Sequence, residues 1–134
     1  MRPVYLEFCG INSFSEKAEI DFTKLLDGGL FGIFGDTGSG KSTILDCIHF
    51  ALYGKIERSS GTDSINYKCD KAYVIYAFEI LEQGKRRAYR VRRERRRKTT
   101  SQRRFWTNTT RTAIFGDSPR AWARWIGGSR RSWG

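Results

Sequence analysis

Residues 30–42 read Leu30-Phe31-Gly32-Ile33-Phe34-Gly35-Asp36-Thr37-Gly38-Ser39-Gly40-Lys41-Ser42. A short apolar run is followed by a match to G-x-x-x-x-G-K-[ST] at every fixed position. Each fixed residue has a task in holding a nucleoside triphosphate. Glycines let the backbone turn tightly enough for its N–H groups to converge on phosphate oxygens. Lys41 supplies a point charge for the β- and γ-phosphates, and the Ser42 hydroxyl is suited to ligate Mg²⁺. Such a loop should follow a buried strand, which the run 30–34 supplies, and should open a helix. Ile44, Leu45, Ile48, Ala51 and Leu52 recur at helical spacing, and Gly54 stands where a helix-ending glycine would. The helix then turns its positive dipole end toward the anion.

The chain has 134 residues, room for one modest domain with a core. No apolar run approaches the ~18 residues that span a bilayer, and no signal-peptide pattern opens the chain. Cys9, Cys47 and Cys69 are widely spaced with no CxxC pair, which argues against a disulfide framework or zinc site and for a reducing cytoplasm. Cys47 falls on the apolar helix face and reads as core. His49, the single histidine, reads as an ordinary helix-side residue and leaves little scope for histidine chemistry.

The net charge of +11 is unevenly spread. Residues 1–85 hold 9 Lys/Arg against 12 Asp/Glu, and residues 86–134 hold 16 against 2. Basicity on this scale suggests a polyanionic partner, and it belongs to the last third alone.

Around the loop, alternation predicts strands over 4–9 and 18–22, with a polar connection between them. Residues 55–71 read as a surface loop. Val74, Tyr76, Phe78 and Ile80 share one side of a further strand, and Glu82-Gln83-Gly84-Lys85 predicts a hairpin turn. Tyr89 and Val91 then alternate with Arg90 and Arg92. The run 74–79 ends in Glu79 but turns straight into the hairpin, which speaks against a catalytic acidic strand. Beyond Lys98 all four tryptophans and seven arginines occur with one acidic residue, Asp117. No useful periodicity is expected there. A change of reading frame near codon 98 would account for both shifts, and a basic, aromatic nucleic-acid tail is the other reading.

The loop string continues through Thr43-Ile44-Leu45-Asp46 to Ala51-Leu52-Tyr53-Gly54, behind Asn12-Ser13-Phe14 and Ile20-Asp21-Phe22. Over residues 1–98 this resembles the N-terminal part of the SbcC family, ATPase subunits of SbcCD nucleases. That family belongs with the SMC-like, ABC-type ATPases of double-strand-break repair. The resemblance implies an α/β fold, the N-terminal half-lobe of a P-loop NTPase head, with residues 99–134 outside it. It implies that ATP with Mg²⁺ is bound by Gly35, Asp36, Thr37, Gly38, Ser39, Gly40, Lys41, Ser42 and Thr43. Thr43 would lie near the α-phosphate, Ser42 would hold the metal, and Asn12 and Ser13 would lie near the nucleotide. Asp36 stands where the family often has proline, so its carboxylate should point outward. Arg90, Arg92, Arg93, Arg95, Arg96, Arg97 and Lys98 fit either a DNA-facing edge or a solvated strand end.

The implied partners are an SbcD-type nuclease subunit, double-stranded DNA ends and a second head in an ATP-sandwiched homodimer. The implied location is the cytoplasm, in association with the nucleoid. The family's signature motif, zinc-hook coiled coil and acidic catalytic strand have no counterpart in these residues. Alone, the chain is therefore expected to bind ATP without efficient hydrolysis. Other P-loop NTPases compete with this reading. A GTPase would need N-K-x-D, and Asn66-Tyr67-Lys68-Cys69-Asp70 has the wrong spacing. A kinase would carry a lid, and a transporter ATPase would lack the Asn12-Ser13-Phe14 segment. A non-enzymatic nucleic-acid binder working through its basic tail is the remaining alternative.

Overall fold

Alternating strands need partners, and in this chain they find one another. The computed structural model describes residues 1–25, 31–56, 65–100 and 103–114, with side chains through residue 96. Strands β1 (Arg2–Cys9), β2 (Ala18–Asp21), β3 (Lys71–Glu82), β4 (Lys85–Thr100) and β5 (Arg103–Ile114) form one sheet in the order β2-β1-β3-β4-β5. Every neighbouring pair is antiparallel. A 3₁₀ turn (Phe22–Lys24) follows β2, capped by Asp21, whose carboxylate accepts from the Thr23 N–H at 3.0 Å. The β3–β4 hairpin turns at Gln83 and Gly84, both at positive φ, as a two-residue turn requires.

Helix α1 (Lys41–Tyr53) lies on one face of the sheet. Cys47, Phe50 and Ala51 pack there against Leu6, Phe8, Val74, Tyr76, Phe78 and Val91. The alternation in 74–80 and 89–91 thus points the residues anticipated from sequence toward the helix. Gly54 ends α1 in the left-handed region, with its N–H on the Phe50 carbonyl at 2.8 Å. Cys47 is 0% exposed, and burial pushes its thiol far up, as expected of a core cysteine.

One expectation fails. Residues 31–34 form no strand: Phe31 packs on Phe22 with ring centroids 5.2 Å apart, but Phe34 is 93% exposed. A strand buried on both faces needs neighbours on both edges, and no described strand pairs with this run. Beyond Lys98, where the sequence shows no periodicity of useful length, the backbone still forms strand. Strand β4 continues to Thr100, and β5 pairs with it from Tyr89↔Ile114 to Thr100↔Arg103. Thr107, Thr109, Thr110 and Thr112, with Phe105 and Trp106, give this segment strand propensity that its arginines obscure. Residues 26–30, 57–64, 101–102 and 115–134 lie outside the described residues, as do much of the expected surface loop and most of the tryptophan-rich end.

The face of the sheet away from α1 carries a small apolar cluster of Val4, Tyr5, Ala77 and Ala88 and, further along, a charged patch. Glu94 gathers Lys71 at 3.1 Å, Arg92 at 2.9 Å and Arg96. Burial raises its carboxyl, but bonds to Arg96, Arg92 and Lys71 outweigh that and hold it at about 2, against an ordinary 4.5. A depressed acid stabilises the fold above its unfolded value and loses that contribution as pH falls through its folded value. The unfolding free energy of the wild type, read from urea titrations, should therefore drop between about pH 5 and pH 2, by about 1–2 kcal/mol from this group. Glu94→Gln should be less stable at neutral pH and show a flatter profile across that window.

Candidate nucleotide site

Three glycines shape the turn into α1. Gly35, Gly38 and Gly40 have φ of 153°, 88° and 89°, a region that L side chains rarely enter. The Ser39 N–H closes a turn onto the Asp36 carbonyl at 3.2 Å. A Cβ at Gly40 would come within 2.8 Å of the Phe14 ring, so both conformation and space demand glycine there. Gly40 caps α1 without any side-chain bond, which leaves the N-terminal end of the helix open toward an anion.

Lys41 folds back over the loop. Its Nζ donates to the Gly35 and Asp36 carbonyls and to Ser39 Oγ at 3.3 Å. The ammonium sits inside the turn, where incoming phosphate oxygens would exchange with those acceptors. Asp36, Thr37 and Ser42 are exposed. Mg²⁺ takes few protein ligands and keeps waters and phosphate oxygens. One exposed hydroxyl at Ser42 fits that role. Among the described residues no cluster of three or more His, Cys, Asp or Glu could hold a metal independently.

Asn12 and Thr43 do come together, but as a bracket. Asn12 Nδ2 donates to Thr43 Oγ1 at 3.0 Å, and Thr43 is 6% exposed. Asn66 Nδ2 in turn donates to the Asn12 carbonyl at 2.8 Å, and the Asn66 N–H to the Gly10 carbonyl at 2.9 Å. Asn12 therefore ties the β1–β2 connection to the first turn of α1, while Ser13 is exposed beside it. Sequence reading missed Asn66, because its contact spans 54 residues and follows no local pattern.

The arginine run divides by face. Arg90 is 4% exposed, so it is not available to a duplex backbone. Arg92 and Arg96 are engaged with Glu94. Arg93 Nε donates to the Ala51 carbonyl at 3.1 Å, its Nη2 to the Leu52 carbonyl at 3.5 Å, and Arg95 Nη2 to the Gly54 carbonyl at 3.4 Å. Both guanidiniums also stack on Phe50, at 6.0 and 5.2 Å from its centroid. These two arginines satisfy the carbonyls that a helix C-terminus leaves open, where its dipole also favours positive charge. Arg97 and Lys98 side chains lie outside the described residues. Arg93→Ala should lower unfolding stability by about 1–2 kcal/mol, with Arg93→Lys recovering only part because an ammonium lacks the planar fork that spans the Ala51 and Leu52 carbonyls and lies over Phe50. Urea unfolding measures both.

A model of the AAA domain family matches residues 5–120. The chain belongs to that family. Its relatives narrow the likeness. The SbcC subunit of the nuclease SbcCD from Clostridium acetobutylicum is 47% identical over 97 residues, 72% of this chain and 8% of that protein. The Bacillus subtilis SbcC subunit is 43% identical over 95 residues, 69% of this chain and 8% of the relative. An Aquifex aeolicus Rad50 ATPase named for DNA double-strand break repair is 42% identical over 67 residues, half of this chain and 6% of that protein. The chain thus spans less than a tenth of the length of these relatives and is SbcC/Rad50-like across its N-terminal part. An AAA-domain family member of this type is a P-loop NTPase, as the loop string indicates. Among the described residues no helix is long and apolar enough to cross a membrane.

Proposed function

We propose that this chain is the ATP-binding N-terminal part of a DNA double-strand-break repair ATPase that gates a partner exonuclease. One observation carries the reading: Lys41 lies over a glycine turn that opens, without a side-chain cap, into the N-terminus of α1. Gly35, Asp36, Thr37, Gly38, Ser39 and Gly40 would wrap the triphosphate through their backbone. Lys41 would contact the β/γ-phosphates, and Ser42 would ligate the accompanying Mg²⁺, which neutralises phosphate charge. Thr43 would contribute its backbone, its hydroxyl being held by Asn12, and Ser13 would border the nucleotide. The partners are an SbcD-type nuclease subunit, duplex DNA ends and a second head. The setting is the cytoplasm, in association with the nucleoid.

Ile33 and Phe34 support a half-lobe boundary, since they are 38% and 93% exposed, as apolar residues at an uncovered edge would be. By itself the chain would hold ATP but lack groups that orient water and stabilise transferred charge. ATP with Mg²⁺ should bind to the isolated chain at micromolar to millimolar concentration, with no phosphate release above buffer in single-turnover assays. Stoichiometric turnover would overturn the half-site reading. For DNA, Arg96, whose side chain is 64% exposed despite its bond to Glu94, and Arg97 and Lys98 are the remaining candidates of the run, together with the arginines of β5. Duplex affinity plotted against salt should have a slope of only a few charges, and a flat plot would remove DNA contact by this edge.

A further inference from the structure

Cys9 and Cys69 are 60 residues apart in the chain yet reach the same oxygen. Cys9 Sγ donates to the Ser15 carbonyl at 3.3 Å, and Cys69 Sγ donates to it at 3.6 Å. The meeting is built by the fold. Cys9 ends β1, while Cys69 closes the turn before β3 with its N–H on the Asn66 carbonyl at 3.1 Å. Asn66 grips Gly10 and Asn12, and Ile65 bridges to Ile11. Both thiols are partly open to solvent, whereas the third cysteine, Cys47, is sealed in the core. Burial raises the Cys9 thiol above its ordinary value, and the neighbouring Cys69 adds to that, which again places the two sulfurs in each other's field.

We propose that Cys9 and Cys69 form a dithiol modification site that is oxidised as a pair to an intramolecular disulfide by a small-molecule disulfide. The thiolate of one cysteine attacks a sulfur of the oxidant, breaks its S–S bond and releases one small thiol. The second cysteine then attacks the protein sulfur of the mixed disulfide and expels the other small thiol. Two electrons pass from the protein to the oxidant, and the protein loses two hydrogens. The new bond would staple the connection carrying Asn12 and Ser13 to the turn carrying Asn66. The two segments that position Asn12 would then be joined covalently, while Thr43 of α1 would still be held through its hydrogen bond to Asn12.

The test treats the whole chain with oxidised glutathione and maps it by non-reducing peptide mass spectrometry. A single species lighter by two hydrogens, with the Cys9 and Cys69 peptides joined and Cys47 free, is the expected result. Cys69→Ser should instead retain glutathione on Cys9, because the displacing thiol is gone. Glutathione retained on both wild-type cysteines, bonds between chains, or unreacted thiols would each overturn the pairing. Thiol counts in the folded chain before oxidation keep a misfolded Cys69→Ser from mimicking any of these outcomes.

Discussion

Lys41→Ala is expected to weaken ATP binding by between about 10-fold and about 100-fold, the range for losing a charge-assisted contact. The effect should be concentrated in the phosphates. The ammonium now rests on the Gly35 and Asp36 carbonyls and Ser39 Oγ, contacts it can exchange for phosphate oxygens without moving its stem far. Alanine removes the charge and also leaves the turn without its central donor. Lys41→Arg should recover only part of the loss, since a wide planar fork does not fit a space shaped around a compact ammonium. Because Lys41 is outside the core, its variants should unfold near the wild-type urea midpoint, which separates a binding defect from a folding one. Unchanged ATP affinity in Lys41→Ala would remove the nucleotide assignment.

Phe8→Ala should cost about 3–5 kcal/mol of unfolding stability, read from urea denaturation. Phe8 is 1% exposed, and its ring meets Phe14 edge-on with centroids 5.1 Å apart. Truncation loses that aromatic contact and leaves a cavity between sheet and helix. Against a total stability of about 5–15 kcal/mol for a domain, this is a large share. The damage should extend to the loop, because Phe14 stands against Gly40 and loses its backing. A cost below about 1 kcal/mol would mean that the core lies elsewhere.

Much of this was legible in the chain because it is local. The loop, the helix from Ile44 to Leu52, Gly54 at its end and the Gln83–Gly84 hairpin each follow from spacing within a few residues. The run 30–34 misled because an apolar string reports only a wish for burial. Whether it becomes a strand depends on partners supplied by other segments, and the described strands pair elsewhere. Strand β5 was hidden for the opposite reason: arginines mask its threonines and aromatics, and its pairing depends on β4. The basic run was the least readable stretch. Alternation sends Arg93 and Arg95 to the helix and Arg90 and Arg92 to the other face, a division that charge counting cannot see. Of the residues the family resemblance added, Asn12 is held against Thr43, whereas Ser13 is exposed.

The guanidiniums on Ala51, Leu52 and Gly54 carry a mechanical consequence. Helix α1 has 13 residues, a rod about 20 Å long. It is pinned at its first turn by Asn12 and at its last by Arg93 and Arg95. A rod fixed at both ends transmits displacement along its length instead of absorbing it. A displacement of the middle of β4 is therefore expected to reach the glycine turn through the helix, about 20 Å from the arginines that hold its far end.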